Sequence, residues 1–420
     1  MSSKKVHTYA ASFGEDLARE LIEEYTSEKE TVLDPFMGAG IGIFQSYLLN
    51  RNAIGIDVDP ISCLIVKTMS HKYKNDDIDK LDDDIKQKLN KLEQDLSLLK
   101  FEENNYIPGS EFNINGLNCI VPDNDKIQYW FETVQRVILS VLVEIANEIK
   151  DVKLRDIVRL AISSAIIRKW PNTLSLARDI DHSRPHRTER KDLSVVEQLV
   201  IFRKVWKSLV TTIKRNSLAD ESDRTSSISV IEGDACQEID NLEKESVDYV
   251  LTSPPYFNAI DYPRAHRYSQ WWLWPEKEPL TRKVYIGLKT GGKSKENSFE
   301  KECKNIVPDK IENLKWLKEF DVNKYTSLCR YIFDLNEIVK KLKEVLRPDK
   351  HMSFILANNK INGRQIPLSE IVEELLNIND FNSIEIKERI IEVNRRRYPY
   401  GLTGFEGLLE SEYMINAKRI

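Results

Sequence analysis

The segment from Thr31 to Asp57 limits the fold more than any other part of this chain. Thr31-Val32-Leu33 is a short apolar run of strand character. The turn Asp34-Pro35-Phe36-Met37-Gly38-Ala39-Gly40-Ile41-Gly42 follows it, then a helical pattern over residues 43–50. A second apolar run, Ala53-Ile54-Gly55-Ile56, ends in Asp57. Strand, glycine-rich turn, helix and strand make a βαβ unit, which calls for a parallel sheet covered by helices. The glycines let the backbone come close to a ligand, and the helix N-terminus offers free N–H groups. Asp57, 17 residues after Gly40, is placed to accept hydrogen bonds from ribose hydroxyls. The phosphate fingerprint G-x-G-x-x-G is not met, because Ile43 stands at the third glycine position. Asp34 would also repel a pyrophosphate. A ligand with an ammonium and a nucleoside suits these residues better.

A second strand-to-turn junction lies far downstream. Val247-Asp248-Tyr249-Val250-Leu251 reads as a buried strand, and Thr252-Ser253-Pro254-Pro255-Tyr256 closes it. Two prolines after a strand stop the ladder and fix φ, so the turn is stiff. The carboxyl end of a strand is where open α/β sheets place their ligands. The turn offers the Ser253 hydroxyl, carbonyls without competing N–H groups at Pro254 and Pro255, and the Tyr256 ring. Such parts suit a planar ring with an exocyclic amine: oxygens accept from the amine while the aromatic stacks. The bland alternative is an ordinary proline turn.

The two motifs together resemble those of the S-adenosylmethionine-dependent DNA amino-methyltransferases. Asp34 to Gly40 is similar to the family's D-P-F-x-G-S/A-G, and Ser253 to Tyr256 to its S/D/N-P-P-Y/F. The resemblance implies a Rossmann-like methyltransferase with a mostly parallel seven-stranded sheet, one strand reversed, interrupted here by a large helical insertion. It implies that Asp34, Gly38 and Gly40 line the methionine part of S-adenosylmethionine, with Phe36 beside the cofactor, Thr252 adjoining it and Asp57 on the ribose. Ile228-Ser229-Val230-Ile231 reads as the third strand, and Asp234 after it is the candidate acceptor for the adenine amino group. The segment His7 to Phe13 lies where the family covers the methionine end. Ser253, Pro254, Pro255 and Tyr256 are the catalytic candidates. Serine in the first motif position resembles the cytosine-N4 enzymes, whereas aspartate is commoner in the adenine-N6 ones. Many members place S-P-P-Y ahead of the glycine motif; here the order is reversed.

The catalytic domain is expected over residues 1–66 and 227–420. Residues 67–226 form the helical insertion, a candidate target-recognition region. Helices are expected over 76–100, 127–150, 154–169 and 193–215, with 104–125 a loop rich in Asn, Gly and Pro. Residues 168–191 carry seven Lys or Arg against three acids and read as a basic loop. His182 and His186, with Asp181, have metal-like spacing, but Pro185 between the histidines opposes a common helical face; no metal site is expected. After the S-P-P-Y turn, Arg264 and Arg267 are interleaved with aromatics, which suits stacking on bases and holding phosphates. Core packing is expected for Trp271, Trp272 and Trp274. Residues 264–304 hold ten basic residues against five acids, and Gly287, Gly291 and Gly292 make part of the stretch a mobile loop, a candidate clamp on DNA. A helix over 325–346 stopped by Pro348, a fifth strand over 352–356, a helix over 368–376 and a closing strand pair over 383–393 and 412–417 follow. Arg395, Arg396 and Arg397 form a third basic patch, between those strands.

The 420 residues carry a net charge of −5, so a nucleic acid must be held by local patches and not by overall charge. The five cysteines are scattered without a C-x-x-C, which predicts reduced thiols. No signal-peptide core and no run of transmembrane length is visible; no membrane partner is expected, and the cytoplasm is favoured. The expected partner is double-stranded DNA with its target base flipped out, with a cognate restriction endonuclease encoded separately. N6-adenine methylation, an RNA amino-methyltransferase and a non-catalytic nucleic-acid-binding protein are the alternatives.

Overall fold

A computed structural model describes residues 6–7, 9, 13–98, 101, 105–168, 172–176, 194–219, 225–257, 262–278, 286, 293–391 and 411–420. The chain divides into two compact units. One comprises Ala11–Cys63, Thr225–Ile260 and Leu280–Ile420; the other comprises Met1–Ala10, Leu64–Arg224 and Asp261–Pro279.

The first unit is built on a seven-stranded sheet. Its strands in chain order are β1 (Thr31–Asp34), β2 (Asn52–Asp57), β3 (Ile228–Glu232), β4 (Val247–Thr252), β5 (Leu346–Leu356), β6 (Phe381–Ile390) and β7 (Ser411–Arg419). They lie side by side in the order β6-β7-β5-β4-β1-β2-β3. The pairs β4–β1, β1–β2, β2–β3 and β4–β5 are parallel, and β7 runs antiparallel to both β5 and β6. This is a mostly parallel, Rossmann-like sheet of seven strands with one strand reversed.

The period of two in the central strands explains why both faces are covered. From β1, Val32 enters one apolar cluster and Leu33 the other. From β4, Tyr249 and Leu251 join Val32, while Val250 joins Leu33. The helix Glu15–Tyr25 packs Leu17, Ala18, Leu21 and Ile22 on the first face. The helix Val322–Val345 packs Leu328, Ile332, Leu335, Val339 and Leu342, one stripe at alternating spacings of four and three, on the second. Each such fully buried aliphatic side chain contributes about 1.5–3 kcal/mol.

Pro348 stands inside β5, not beyond it, and the physical reason is a bulge. Val247 pairs with Leu346 but Tyr249 pairs with His351, so residues 347–350 sit at a register shift where a missing N–H is tolerated. From Lys293 the basic stretch enters a helix, Lys293–Ile306. Gly287, Gly291 and Gly292 lie outside the described residues.

The second unit is helical. Asn75–Leu98 buries Ile78, Leu81, Ile85, Leu89, Leu92 and Leu96 along one face. It meets Val195–Ala219, where the indole N–H of Trp206 donates to Asp82 at 2.8 Å. Thr133–Glu148, Val152–Ile166 and Tyr262–Leu273 are its other long helices. The expected loop over 104–125 holds a β-hairpin instead, Glu111–Ile114 paired with Leu117–Ile120. Asn115 and Gly116 turn it with φ of 56° and 82°, the left-handed pair a two-residue hairpin requires. Trp271 and Trp272 are buried, as core packing predicts.

Candidate active site

The carboxyl ends of β4, β1, β2 and β3 line up along one edge of the sheet, because these neighbours are parallel and in register there. Asp34 pairs with Gly55, Asp57 with Glu232, and Leu33 with Val250. Adjacent strands lie about 4.8 Å apart, so motifs 218 residues apart in the chain become neighbours. The Thr252 hydroxyl, at the end of β4, donates to Asp34 Oδ1 at 2.7 Å. The glycine turn and the S-P-P-Y turn are therefore joined by a direct hydrogen bond.

The turn after β1 is held tightly. Met37 N–H donates to the Ile56 carbonyl at 3.1 Å, and Gly40 N–H to the Met37 carbonyl at 2.7 Å. Gly38 and Gly40 have φ of 48° and 79°, the left-handed region where glycine carries no penalty. Gly40 leads into the helix Ile41–Leu48. Gly55, in β2, was not singled out by sequence. A Cβ there would lie 2.4 Å from Met37 Sδ and 3.1 Å from Ile43 Cγ1, so the turn packs flat on bare backbone.

Asp34 is 1% exposed. Burial pushes its carboxyl up to about 7, against the Thr252 hydroxyl and the Phe36 N–H, which both favour the charged form. Those two donors go to Oδ1, the Phe36 N–H at 3.1 Å. Oδ2 faces Gly42, where a Cβ would stand 3.4 Å away. Asp57 accepts from Gly38 N–H on Oδ2 and from Asp59 N–H on Oδ1, both at 2.9 Å. Burial, and then the neighbouring Asp59, raise Asp57 to about 6. Ser62 donates to the Gly38 carbonyl at 2.6 Å and so ties the turn to the next helix.

Asp234 follows β3, but its side chain serves a local purpose: Oδ1 accepts from Cys236 N–H at 3.0 Å and caps the short helix Ala235–Glu238. Phe36 is partly buried against the core cluster below the edge. Thr252 is fully buried, while Ser253 is half-buried. Tyr256 is 9% exposed and packs with Phe257 in the core. Burial drives its hydroxyl pKa well above the ordinary tyrosine value, and its hydrogen bond with Ser253 works in the opposite direction.

Arg264 and Arg267 are on the helix Tyr262–Leu273 of the helical unit. The Arg267 guanidinium lies 5.1–5.7 Å from the ring centroids of Tyr268, Trp271 and Trp130, so it already has aromatic partners within the protein. His7, also in that unit, is buried and hydrogen-bonded to Ser163 Oγ at 2.9 Å. Phe13 packs in the sheet unit with Leu17 and Ile41. Arg395, Arg396, Arg397, His182 and His186 lie outside the described residues. Among the described residues no cluster of potential metal ligands occurs, and no helix is long and apolar enough to cross a membrane.

A buried carboxylate with one open oxygen, two left-handed glycines, a helix N-terminus and a second carboxylate one strand away fit an amino acid joined to a nucleoside. Comparison with known proteins agrees. The family model of the N6/N4 DNA methylases matches residues 1–68. Over 381 residues the chain is 21% identical to Type II methyltransferase M.MvaI of Kocuria varians, covering 88% of this chain and 80% of that protein. It is 24% identical over 414 residues to Type II methyltransferase M.BsoBI of Geobacillus stearothermophilus, covering 90% and 78%. Over 55 residues it is 40% identical to Type II methyltransferase M.MjaI of Methanocaldococcus jannaschii, covering 13% and 18%. These similarities, with the sheet and the two motifs, support an S-adenosylmethionine-dependent DNA amino-methyltransferase of the N4/N6 kind. The methyl donor that this kind implies is S-adenosylmethionine.

Proposed function

We propose that this enzyme methylates the exocyclic N4 of cytosine at a specific site in double-stranded DNA. Ser253 carries the reading: it stands one residue beyond the Thr252–Asp34 hydrogen bond, beside the glycine turn, in the motif position where serine is typical of cytosine-N4 enzymes. When bound, S-adenosylmethionine supplies a methyl group made electrophilic by its sulfonium. Asp34 holds the ammonium through Oδ2, Gly38 and Gly40 admit the methionine chain, and Phe36 and Thr252 shape the site's wall. Asp57 takes the ribose, and Asp234 the adenine amino group.

An exocyclic amine is a poor nucleophile because its lone pair is delocalised into the ring. The Ser253 hydroxyl and the Pro254 carbonyl accept its two hydrogens and draw the nitrogen toward tetrahedral geometry. Pro255 keeps that carbonyl fixed, and Tyr256 supplies an aromatic wall for the base. Positioning and preorganised acceptors provide most of the rate. The target base must leave the duplex, at a cost of a few kcal/mol. The sheet unit is read as the catalytic domain and the helical unit as the target-recognition region. Arg264 and Arg395, Arg396 and Arg397 are assigned to the DNA backbone; Arg267, for which DNA contact was also expected, is supported more by its aromatic stack. A cognate restriction endonuclease is encoded separately. Expression in a methylation-free host, with genome-wide mapping by single-molecule sequencing, tests the assignment. N4-methylcytosine at one recurring sequence is expected; N6-methyladenine there would replace it.

A further inference from the structure

The S-P-P-Y turn is anchored at both ends, and only the first anchor was readable as a motif. At its start, Thr252 is bonded to Asp34. At its far end, the Phe257 carbonyl accepts from the side-chain amide of Asn359, 102 residues downstream. Asn359 is 2% exposed and lies just beyond the end of β5, the strand beside β4. Its own backbone is fixed. Its carbonyl accepts from Ile366 N–H at 2.8 Å, across a small hairpin, Lys360–Ile361 with Arg364–Gln365. The preceding Asn358 exchanges two hydrogen bonds with Ser369, at 2.8 and 2.9 Å, at the start of the helix Leu368–Ile378. The Phe257 ring packs 5.8 Å from that of Tyr331. The other side-chain atom, Asn359 Oδ1, is buried and has no hydrogen-bond partner among the described residues. A buried orphan acceptor is destabilising. Stability alone would be served by an apolar side chain of the same shape, so the amide donor is what the site requires.

We propose that Asn359 is a positioning residue of the catalytic turn, and that its grip on the Phe257 carbonyl sets where Ser253 and the Pro254 carbonyl meet the target amine. This rests on the reading of Ser253 and Pro254 as acceptors of the amine. Asn359 stands off the cradle, which is made mainly at the ends of β1, β2 and β3, two, three and four strands from β5. Its loss therefore changes turnover and spares cofactor binding.

The test uses the full chain with two variants. Asn359→Leu removes the donor and the orphan acceptor together. Asn359→Asp keeps the shape and turns the donor into an acceptor facing a carbonyl. For both, kcat for methyl transfer to DNA is expected to fall about 10- to 100-fold, while KM for DNA and the S-adenosylmethionine Kd stay within about threefold. Hydrogen exchange in the peptide from Thr252 to Phe257 should speed up about tenfold, with the rest of the sheet unit unchanged. A kcat within threefold of wild type, unchanged exchange in that peptide, or a loss of cofactor affinity matching the loss of kcat would each overturn the proposal. The methylated nucleoside made by the wild type judges the cytosine assignment separately. If it is N6-methyladenine, that assignment falls while the variant-to-wild-type ratio still tests Asn359. The exchange measurement needs no DNA and judges the anchor even where a variant transfers no methyl group.

Discussion

Thr252→Val removes one hydroxyl and leaves the shape of the β4 terminus unchanged. Its consequence can be worked from the two groups it separates. Asp34 sits near pKa 7 because burial outweighs two hydrogen bonds to Oδ1. A hydrogen bond to a charged group contributes about 1.5–3 kcal/mol. At 1.36 kcal/mol per pH unit, losing it lifts the Asp34 pKa by roughly one to two pH units. An ammonium needs the carboxylate form, so the variant binds S-adenosylmethionine more weakly wherever its Asp34 is protonated. At pH 7.5 the ionised fraction falls from about three quarters to between roughly a quarter and a thirtieth, a loss of about 3- to 25-fold in affinity. At pH 9.5 both proteins are mostly ionised, and their affinities should agree within about twofold. Isothermal titration with S-adenosylmethionine alone, from pH 6 to 9.5, measures both limits. A ratio of affinities that stays constant across that range would refute the role given to the Thr252–Asp34 bond.

Asp34→Asn should remove the rise in cofactor affinity that follows Asp34 ionisation near pH 7, and weaken binding about 10- to 100-fold at pH 8. The same change should stabilise the protein without cofactor at that pH. A carboxyl whose folded pKa is raised gives stability that is full below about 4 and is lost as pH rises through about 7. Thermal melts at pH 5 and pH 8 check the sign; a wild type that gains stability over that interval while the variant does not would contradict it. Ser253→Ala should lower kcat about 10²- to 10³-fold, with the cofactor Kd within twofold of wild type; a large affinity loss with normal turnover in a labelled-methyl transfer assay would contradict the assignment. Gly55→Ala should lower stability by about 1–3 kcal/mol through overpacking, and Met37→Ala in the same protein should recover part of it. An unchanged melting temperature in the single variant would show that the glycine turn has room to move.

The parts of this fold that were readable from sequence are those set by short-range patterns. The βαβ unit over 31–57, the strand before S-P-P-Y and the helix before Pro348 each carry their own signal of period and punctuation. The order of the elements then restricts a parallel sheet to few arrangements. Elements whose local chemistry gives two messages were misread. Residues 104–125 hold enough Asn, Gly and Pro to resemble a loop, yet Asn115-Gly116 between apolar pairs is a hairpin turn. Pro348 stops a helix as expected but also sits inside a strand, because a bulge relieves it of the ladder. What sequence could not supply was the set of long-range contacts. The Thr252–Asp34 bond, the amide of Asn359 on Phe257 and the bare backbone of Gly55 beneath Met37 join residues with no shared local pattern. Asp234 was picked for its place after a strand, and position alone did not foretell that its side chain would cap a helix.

The most direct measurement is the nucleoside composition of DNA from a methylation-free host expressing either the wild type or Ser253→Ala, read by mass spectrometry after complete digestion. Wild-type DNA should contain N4-methylcytosine, and the Ser253→Ala sample should contain little or none despite equal amounts of folded protein. A methylated ring carbon in place of an amine, or equal methylation by both proteins, would contradict a proline-held acceptor working beside the glycine turn.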